Sequence, residues 1–333
     1  MSESAAPALP HELIWSITNS VVTGRALHLV AELRVADHID AETVDVEKLA
    51  SLCGADPEAL DRVLRLLVTQ GIFARHRDGY AHTDASRLLR TDHPMSMSGF
   101  ARMMGLPVMW SAMSNMDHSV RTGAPALELA DPKGLWGYLQ SHPDDAGVFG
   151  EAMMAKAQAD IAAILSSYDF GAYPTIADVG GGRGHLLQAL LEAHSSARGV
   201  LFDLPGVIEA LEPAPQRLSR MPGDFFADPL PRADAYVLME VLHDWDDPEA
   251  AKILAAVHAA APAGATLLII ENVLSETATD VRGHILDVIM LTFTGGRERT
   301  VDQFDSLLDQ TGFRRRSVVE TSGPMRIVEA VAV

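Results

Sequence analysis

A glycine-rich turn between a short apolar strand and a helix constrains the fold of this chain more than any other feature. The segment from Thr175 to Asp203 reads TIADVGGGRGHLLQALLEAHSSARGVLFDL. It predicts a strand, a turn of glycines, a helix with leucines at helical spacing, and a second strand that ends on Asp203. This is the layout of a nucleoside-binding βαβ unit, in which glycines let the backbone approach the ligand and the terminal acid binds ribose hydroxyls.

The spacing of the glycines favours one kind of nucleoside ligand. A dinucleotide-binding turn requires G-x-G-x-x-G, and His185 occupies the position of its third glycine. The sequence instead reads G-x-G-x-G over Gly180, Gly182 and Gly184, with Asp178 two residues before it. A carboxylate at that point would repel a pyrophosphate but suits an amino group. S-adenosylmethionine, which has a ribose, an amino group and no phosphate, is the predicted ligand; a dinucleotide and a turn that binds nothing are the alternatives.

The overall composition narrows the class of protein and its partners. The 333 residues are 48% hydrophobic and predict a globular chain of more than one domain. The net charge of −19 argues against nucleic acid and anionic membranes as partners, because both require a basic surface. Cys53 is the single cysteine, so neither a disulfide framework nor a cysteine-based zinc site is predicted. The sequence lacks a signal-peptide pattern and a membrane-spanning apolar run, which predicts a cytoplasmic protein.

Residues 1–95 predict a helical domain that contains a winged helix and serves in dimerisation. Residues 12–40 read as two helices with little charge, whose apolar surface requires a partner subunit. Residues 45–90 predict two further helices and a hairpin that turns at Asp78-Gly79. A winged helix often binds DNA, but an excess of acidic over basic residues here favours packing or dimerisation.

The remainder of the chain predicts a helical linker and substrate-pocket region, 96–165, and a catalytic domain, 166–333. Residues 95–155 are rich in methionine, which indicates either core filling or an adaptable wall for a flat aromatic ligand. From 175 onward, strands and helices alternate, which predicts an α/β, doubly wound, mostly parallel Rossmann-like sheet. The last strand should be antiparallel, because the turn before it is too short for a parallel crossover. Strands are predicted at 175–179, 199–203, 234–242, 266–274, 315–321 and 326–333, and helices near 185–194, 248–261, 281–293 and 300–311.

Polar side chains follow the predicted strands at the sheet edge where such folds bind ligands. His243 follows the strand 234–242 and is the plausible base near neutral pH in this part of the chain. Glu271, near the end of the next strand, is a candidate for holding His243 in one tautomer, and Glu298 is a second candidate. A purely structural role is the alternative interpretation for each of the three.

Other patterns predict an adenine site and argue against a serine hydrolase and against a metal site. Asp224 and Phe225 could bind the exocyclic amine and the ring face of an adenine; a loop acid beside a core phenylalanine is the alternative. No G-x-S-x-G elbow is present, so a serine hydrolase is not predicted. No H-x-x-x-H pair lies on a predicted helix, so no metal site is predicted.

Several motifs, taken in order, carry a resemblance to a known family. They are DVGGGRGHLL (178–187), FDLPGVI (202–208), GDFF (223–226), VLHDWDD (241–247), IIENVL (269–274) and DVIMLTFTGGRERT (287–300). The chain resembles the small-molecule S-adenosylmethionine-dependent O-methyltransferases of the caffeate and hydroxyindole type, whose bacterial members act in polyketide and phenazine biosynthesis. The resemblance covers nearly the whole chain, including the winged helix. It implies an intertwined homodimer that methylates an aromatic hydroxyl without a metal ion and releases S-adenosylhomocysteine.

The resemblance also implies roles for individual residues. The implied cofactor-binding residues are Asp178, Gly180, Gly182, Asp203, Leu204, Asp224 and Phe225. His243 resembles the catalytic base, Glu271 and Glu298 its flanking acids, and the implied substrate-binding residues are Phe149, Met153 and Asp244.

The chain departs from the plant members of this family at two places. Met239 stands where plant members often carry a cofactor-contacting lysine, and the segment before Gly295 is one residue shorter and lacks a substrate-contacting asparagine. A monolignol substrate is therefore not supported.

Two other functions are compatible with parts of the sequence. One is a methyltransferase-like enzyme recruited to different tailoring chemistry, which the presence of His243 disfavours. The other is a winged-helix regulator that senses an adenosyl ligand, which the acidic net charge disfavours.

Overall fold

The computed structural model describes residues 9–40, 42–212, 215–275 and 280–333. They form two compact units, and the chain passes from the first to the second between Leu106 and Pro107. The region predicted as a separate helical segment, 96–165, is thereby shared between the two units. The three-part division at residues 95 and 165 stays a prediction.

The first unit combines helices with one small hairpin. Its helices are α1 (Pro10–Glu32), α2 (Val46–Cys53), α3 (Pro57–Thr69), α4 (Asp84–Arg87) and α5 (Ser98–Met104), and its strands are β1 (Phe73–His76) and β2 (Gly79–His82). Asp45 and Asp56 cap α2 and α3 by accepting hydrogen bonds from backbone N–H groups in the first turn. The two capped helices and the hairpin confirm the predicted winged helix.

Two local predictions for this unit need correction. Residues 12–40 form one long helix, α1, followed by a short 3₁₀ helix, Val35–His38, and not two helices. The helix continues through Gly24, because a single glycine weakens a helix without removing its hydrogen bonds. In the hairpin, His76 pairs with Gly79, so the turn lies one residue earlier than predicted. Gly79 is required because a side chain there would overlap the backbone of Val44.

The second unit contains a sheet with helices on both faces. Its helices are α6 (Pro107–Ser114), α7 (Met116–Thr122), α8 (Gly134–Ser141), α9 (Pro143–Ser167), α10 (His185–Ala193), α11 (Pro205–Glu209), α12 (Asp247–Ala260), α13 (Val281–Phe293) and α14 (Val301–Gln310). Its strands are β3 (Thr175–Val179), β4 (Arg198–Asp203), β5 (Leu218–Pro222), β6 (Ala235–Met239), β7 (Thr266–Glu271), β8 (Phe313–Glu320) and β9 (Arg326–Ala332). Short 3₁₀ helices span Ala126–Leu129, Phe170–Ala172 and Leu242–Asp244.

The order of the strands confirms the predicted fold class. The sheet runs β5-β4-β3-β6-β7-β9-β8, and the strands from β5 to β7 are parallel. The last strand, β9, is antiparallel to both neighbours and inserts between β7 and β8. The edge strand β5 was missed, because its sequence LSRMP buries only Leu218 and so lacks an apolar pattern.

Apolar side chains cover both faces of this sheet. One core cluster joins the sheet to α12 and α14 through residues such as Ile253, Leu254 and Phe304. The other joins it to α9 and α10 through residues such as Ile164 and Leu187. Among the residues that the structure describes, no helix is both long and apolar enough to cross a bilayer.

Two predicted strands end earlier than the sequence suggested, so the candidate base His243 lies on a turn and not directly after a strand. The strand predicted at 234–242 ends at Met239, because Glu240 has a left-handed backbone with φ of 53°. The strand predicted at 266–274 ends at Glu271. His243 therefore lies on the 3₁₀ turn beyond β6.

Helix α1 exposes an unusual amount of apolar surface. Ile14, Trp15 and Ile17 are each at least 65% exposed, and neighbouring apolar residues along the helix are more than half exposed. An apolar patch of this kind marks an interaction surface and agrees with the predicted subunit interface.

We expect Ile17→Glu to shift the protein from dimer to monomer, because a charge at this position would be buried without a partner in the dimer. Ser16→Glu adds the same charge to the polar neighbouring position of the same helix and should leave the dimer intact. Light scattering after size exclusion measures both. Equal dimerisation of the two variants would contradict an interface through Ile17.

Candidate active site

The glycine turn between β3 and α10 is half-buried from Gly180 to Gly182 and has a backbone that glycine adopts most readily. Gly180, Gly182 and Gly184 all have positive φ, a conformation that glycine adopts without steric cost. A side chain at Gly181 would overlap the carboxylate of Asp178. The turn therefore tolerates only glycines at these positions, and its backbone is open to a ligand.

Asp203, at the end of β4, holds this turn in place. Its Oδ2 accepts a hydrogen bond of 2.7 Å from the N–H of Gly182, and its Oδ1 accepts one of 2.7 Å from the N–H of Leu204. Burial raises the pKa of Asp203, while these two bonds act in the opposite direction. Each carboxylate oxygen keeps a second lone pair for a ligand hydroxyl.

Asp178 lies beneath the turn and is almost fully buried. Its Oδ1 has no hydrogen-bond partner among the described residues. Burial, with a contribution from the charge of Asp203, raises its pKa to about 7. A buried acceptor without a donor is costly, and the ammonium group of a ligand would supply the missing donor. The geometry thus fits S-adenosylmethionine, the ligand predicted from the spacing.

Aromatic rings line the next loop along the ligand edge of the sheet. Phe225 and Phe226 both meet Trp245 edge to face, at centroid distances of 5.9 and 4.7 Å. Asp224 accepts a hydrogen bond from the N–H of Phe226 through Oδ1, which shapes the loop. The sequence predicted Asp224 and Phe225 here but missed Trp245, although its place two residues after His243 was an available signal.

His243 is buried and its ring is oriented by Glu298. The distance from Nδ1 to Glu298 Oε1 is 2.8 Å. Because a carboxylate accepts, Nδ1 carries the proton in this bond, and Nε2 is left as the basic nitrogen. Asp244 Oδ1 lies 3.7 Å from Nε2, and burial raises the pKa of Asp244 to about 6. The structure therefore brings His243, Glu298 and Asp244 together.

Three carboxylates control the charge of this imidazole. Burial alone would lower the pKa of His243, but Asp244, the hydrogen-bonded Glu298 and Glu271 outweigh it and raise the pKa to about 10. The three carboxylates therefore favour the protonated form of the imidazole.

Glu271 makes its hydrogen bonds to the backbone of the turn and not to the imidazole ring. Its Oε1 accepts hydrogen bonds from the N–H groups of Leu242 and His243, at 2.7 and 3.1 Å. Its Oε2 has no hydrogen-bond partner among the described residues, and burial raises its pKa to about 7. The sequence predicted that Glu271 could hold the tautomer of His243; in the structure Glu298 occupies that place, because its segment passes closer to the ring.

Arg299 and Gly296 complete the support of the His243 turn, and neither residue was predicted from the sequence. Arg299 is fully buried and donates hydrogen bonds to the carbonyl oxygens of Leu242 and Trp245, at 2.7 and 2.8 Å. It also pairs with Asp247. A side chain at Gly296 would overlap the backbone carbonyl of His243. The segment from 295 to 299 thus packs closely against the turn that carries His243.

Two of the three predicted substrate residues lie on α9 beside an aromatic group, and the third, Asp244, lies on the turn that carries His243. Phe149 and Met153 are half-buried there, and Phe149 meets Trp136 edge to face at 5.8 Å. Trp136 stacks on Trp245 at 6.5 Å. A cavity of about 150 Å³ lies beside these two tryptophans, a size that admits one aromatic ring.

Two further features concern cofactor and metal contacts. Met239 packs against the core on the α9 and α10 face of the sheet. Within the described part of the chain, no group of three or more His, Cys, Asp or Glu side chains is arranged to hold a metal ion.

Comparison with known proteins identifies O-methyltransferase domains over most of the chain. Residues 114–314 match the O-methyltransferase domain, and residues 15–92 match the O-methyltransferase dimerisation domain. The chain is 36% identical to a phenazine O-methyltransferase of Lysobacter antibioticus over 339 residues, which covers 99% of this chain and 98% of the relative.

Two solved structures are similar in sequence as well as in fold. A mitomycin 7-O-methyltransferase superposes with a TM-score of 0.89 and 32% identity, over 97% of this chain and 98% of the other. An O-methyltransferase of neocarzinostatin biosynthesis, in complex with S-adenosylmethionine and 2-hydroxy-5-methyl naphthoic acid, superposes with a TM-score of 0.79 and 35% identity, over 93% and 96%. These similarities confirm the resemblance inferred from the motifs.

We expect Gly296→Ala to destabilise the turn that carries His243, because the added methyl group has no space beside the backbone. The loss should be about 1–3 kcal/mol of unfolding free energy, as for overpacked sites, and visible as a lower midpoint of thermal unfolding. Gly206→Ala is the matched control, since nothing lies within 4 Å of the added atom. Equal midpoints for the two variants would contradict the close approach at Gly296.

Proposed function

The chain belongs to the S-adenosylmethionine-dependent O-methyltransferases, and on this premise we propose that it methylates a phenolic hydroxyl of an aromatic secondary metabolite, with His243 as general base and without a metal ion. Its dimerisation domain makes it a homodimer. The observation that carries the proposal is the buried imidazole of His243, whose Nδ1 is held by Glu298 and whose Nε2 is left basic. We also propose the reducing cytoplasm as its compartment, which the free thiol of Cys53 supports.

The methyl donor supplies an electrophilic methyl group on a sulfonium. We propose that Asp203 binds its ribose, that Asp178 accepts from its ammonium group, and that the backbone of Gly180 and Gly182 lies against it. Further donor contacts are assigned to Leu204, Asp224 and Phe225 at the adenine. The unpartnered oxygen of Asp178 and the open glycine turn support this arrangement.

Removing the proton from the acceptor is the task of His243. A phenol of pKa about 10 is only about 0.1% ionised at pH 7, a deficit of about 4 kcal/mol. Nε2 takes the proton, and the carboxylates of Glu298 and Asp244 stabilise the resulting imidazolium. The aromatic and methionine side chains of Phe149, Met153 and Trp136 favour a flat acceptor and exclude water from it.

The raised pKa of His243 sets a condition on this mechanism. An imidazolium cannot accept a proton, so the proton on Nε2 must leave before transfer. A sulfonium cation at the glycine turn brings positive charge to the same edge of the sheet, and like charges lower the pKa of a cationic acid. Binding of the methyl donor therefore prepares the base.

A panel of acceptors tests the proposed function. We expect methyl transfer from S-adenosylmethionine to a hydroxyphenazine or to 2-hydroxy-5-methyl naphthoic acid, detected by mass spectrometry, with no loss of rate in a chelator. The amino analogue of each acceptor tests whether oxygen is preferred over nitrogen. Transfer to none of the phenols, or a requirement for a divalent cation, would contradict the proposal.

We expect His243→Gln to lower kcat by about 10²–10⁴-fold, the usual contribution of a positioned base. The affinity for S-adenosylmethionine should change little. The residual rate should rise as the pH approaches the pKa of the phenol, because solvent then supplies the phenolate. His258→Gln, which removes a half-buried histidine near the end of α12 that packs on Phe313, is the control. Full kcat of His243→Gln near neutral pH would leave proximity alone as the mechanism.

We expect the difference in proton release between S-adenosylmethionine and S-adenosylhomocysteine, on binding at pH 8.5, to be larger in the wild type than in His243→Gln. The positive charge of a sulfonium favours loss of the proton that the neighbouring carboxylates otherwise stabilise on His243. Calorimetry in two buffers of different ionisation enthalpy measures the release. The sulfonium also lowers the pKa of the donor's own amino group, so the comparison with His243→Gln isolates the imidazole proton. The same difference between the two ligands in both proteins would refute the coupling.

A further inference from the structure

Glu240, directly after β6, has a backbone conformation that residues with a side chain rarely adopt. Its φ is 53°, in the left-handed region, where the Cβ atom is crowded. Its N–H donates a hydrogen bond of 3.0 Å to the carbonyl of Ile270 on the neighbouring strand. The chain turns at this residue from β6 into the 3₁₀ helix that carries His243, so the orientation of the turn depends on it.

The side chain of Glu240 is held by Lys156 from helix α9. Lys156 Nζ forms an ion pair with Glu240 Oε1. The side chain of Lys156 is only 11% exposed and that of Glu240 only 13%. Burial alone would raise the pKa of Glu240, but Lys156 and His243 hold it below its usual value. A buried pair of this kind is strongly destabilised when one partner is removed, because the other charge stays behind.

Lys156 shares a helix face with the proposed acceptor-binding residues. Phe149, Met153 and Lys156 are spaced by four and three residues, which places them on one side of α9. The ion pair therefore ties this face of α9 to the residue that turns the chain toward His243.

We propose that the Lys156–Glu240 ion pair is a positioning device, which holds the left-handed backbone at Glu240 and thereby orients His243 toward the α9 face on which the acceptor lies. This inference rests on the proposed function. Glu271 and Arg299 fix the turn from other sides, through its N–H and carbonyl groups. Lys156 acts through the residue at which the turn begins.

Two substitutions at the same residue separate backbone conformation from charge. Glu240→Ala and Glu240→Gly both remove the carboxylate, but only glycine adopts a positive φ without cost. We expect Glu240→Ala to lower kcat for 2-hydroxy-5-methyl naphthoic acid by about tenfold or more, with an unchanged KM for S-adenosylmethionine. Glu240→Gly should stay within about threefold of the wild type.

Substitutions on α9 test the other half of the pair. Lys156→Met should behave like Glu240→Ala, and the double variant Lys156→Met/Glu240→Gly should behave like Glu240→Gly, because no buried charge and no strain are left. Asp160→Asn is the matched control: Asp160 is a buried carboxylate one turn further along α9 that pairs with Arg282. It should keep the kcat of the wild type.

Hydrogen exchange gives a readout that does not depend on turnover. The N–H groups of Leu242 and His243 are bonded to Glu271 and should be protected. We expect their exchange to accelerate about tenfold in Glu240→Ala and Lys156→Met, and to stay near the wild-type rate in both variants with glycine. If the wild type methylates no acceptor, this measurement decides the inference by itself.

Two outcomes would overturn the inference. If Glu240→Gly is impaired as much as Glu240→Ala, the carboxylate acts through its charge and not through the backbone. If neither Glu240→Ala nor Lys156→Met changes kcat or the hydrogen-exchange rates, the ion pair only fills space between α9 and the sheet.

Discussion

The buried charges around the turn that carries His243 are the constraint on which the rest of the site depends. A turn at the end of a buried strand has backbone groups that water cannot reach, and each needs a partner. Glu271 takes the N–H groups and Arg299 takes the carbonyl groups. Glu271 also adds negative charge near the imidazole, beside the larger contributions of Asp244 and Glu298, so one carboxylate both supports the turn and helps to raise the pKa of His243.

The same electrostatics bear on how the site would receive a cationic ligand. The carboxylates around His243 raise the pKa of its imidazole, and a positive charge nearby would lower it again. Asp178, another buried acid, has an oxygen without a hydrogen-bond donor among the described residues. An ammonium group would supply that donor and a sulfonium would favour the neutral imidazole, which suits a methyl donor that carries both.

The two units of the chain have different roles. The glycine turn and the strand ends of the second unit supply precise backbone geometry, because they follow buried central strands such as β3, β6 and β7. The first unit keeps an apolar face on α1 that a single chain leaves exposed, and its dimerisation domain accounts for that face. Of the acids at the site, Glu298 and Glu271 are buried and bonded to specific groups, whereas Asp178 is buried with one oxygen unpartnered among the described residues.

The sequence by itself determined the fold class, the glycine turn with Asp178 and Asp203, and the identity of the candidate base, because spacing and strand periodicity are local properties. It could not locate the end of β6, where Glu240 takes a left-handed backbone and its carboxylate pairs with Lys156, 84 positions away. For the same reason it left both Glu271 and Glu298 as candidates for orienting the ring of His243, and the tertiary structure places Glu298 on the ring and Glu271 on the backbone. The roles of Arg299 and Gly296 likewise arise only when distant segments pack together, because a contact between segments far apart in the chain leaves no periodic signal in either one.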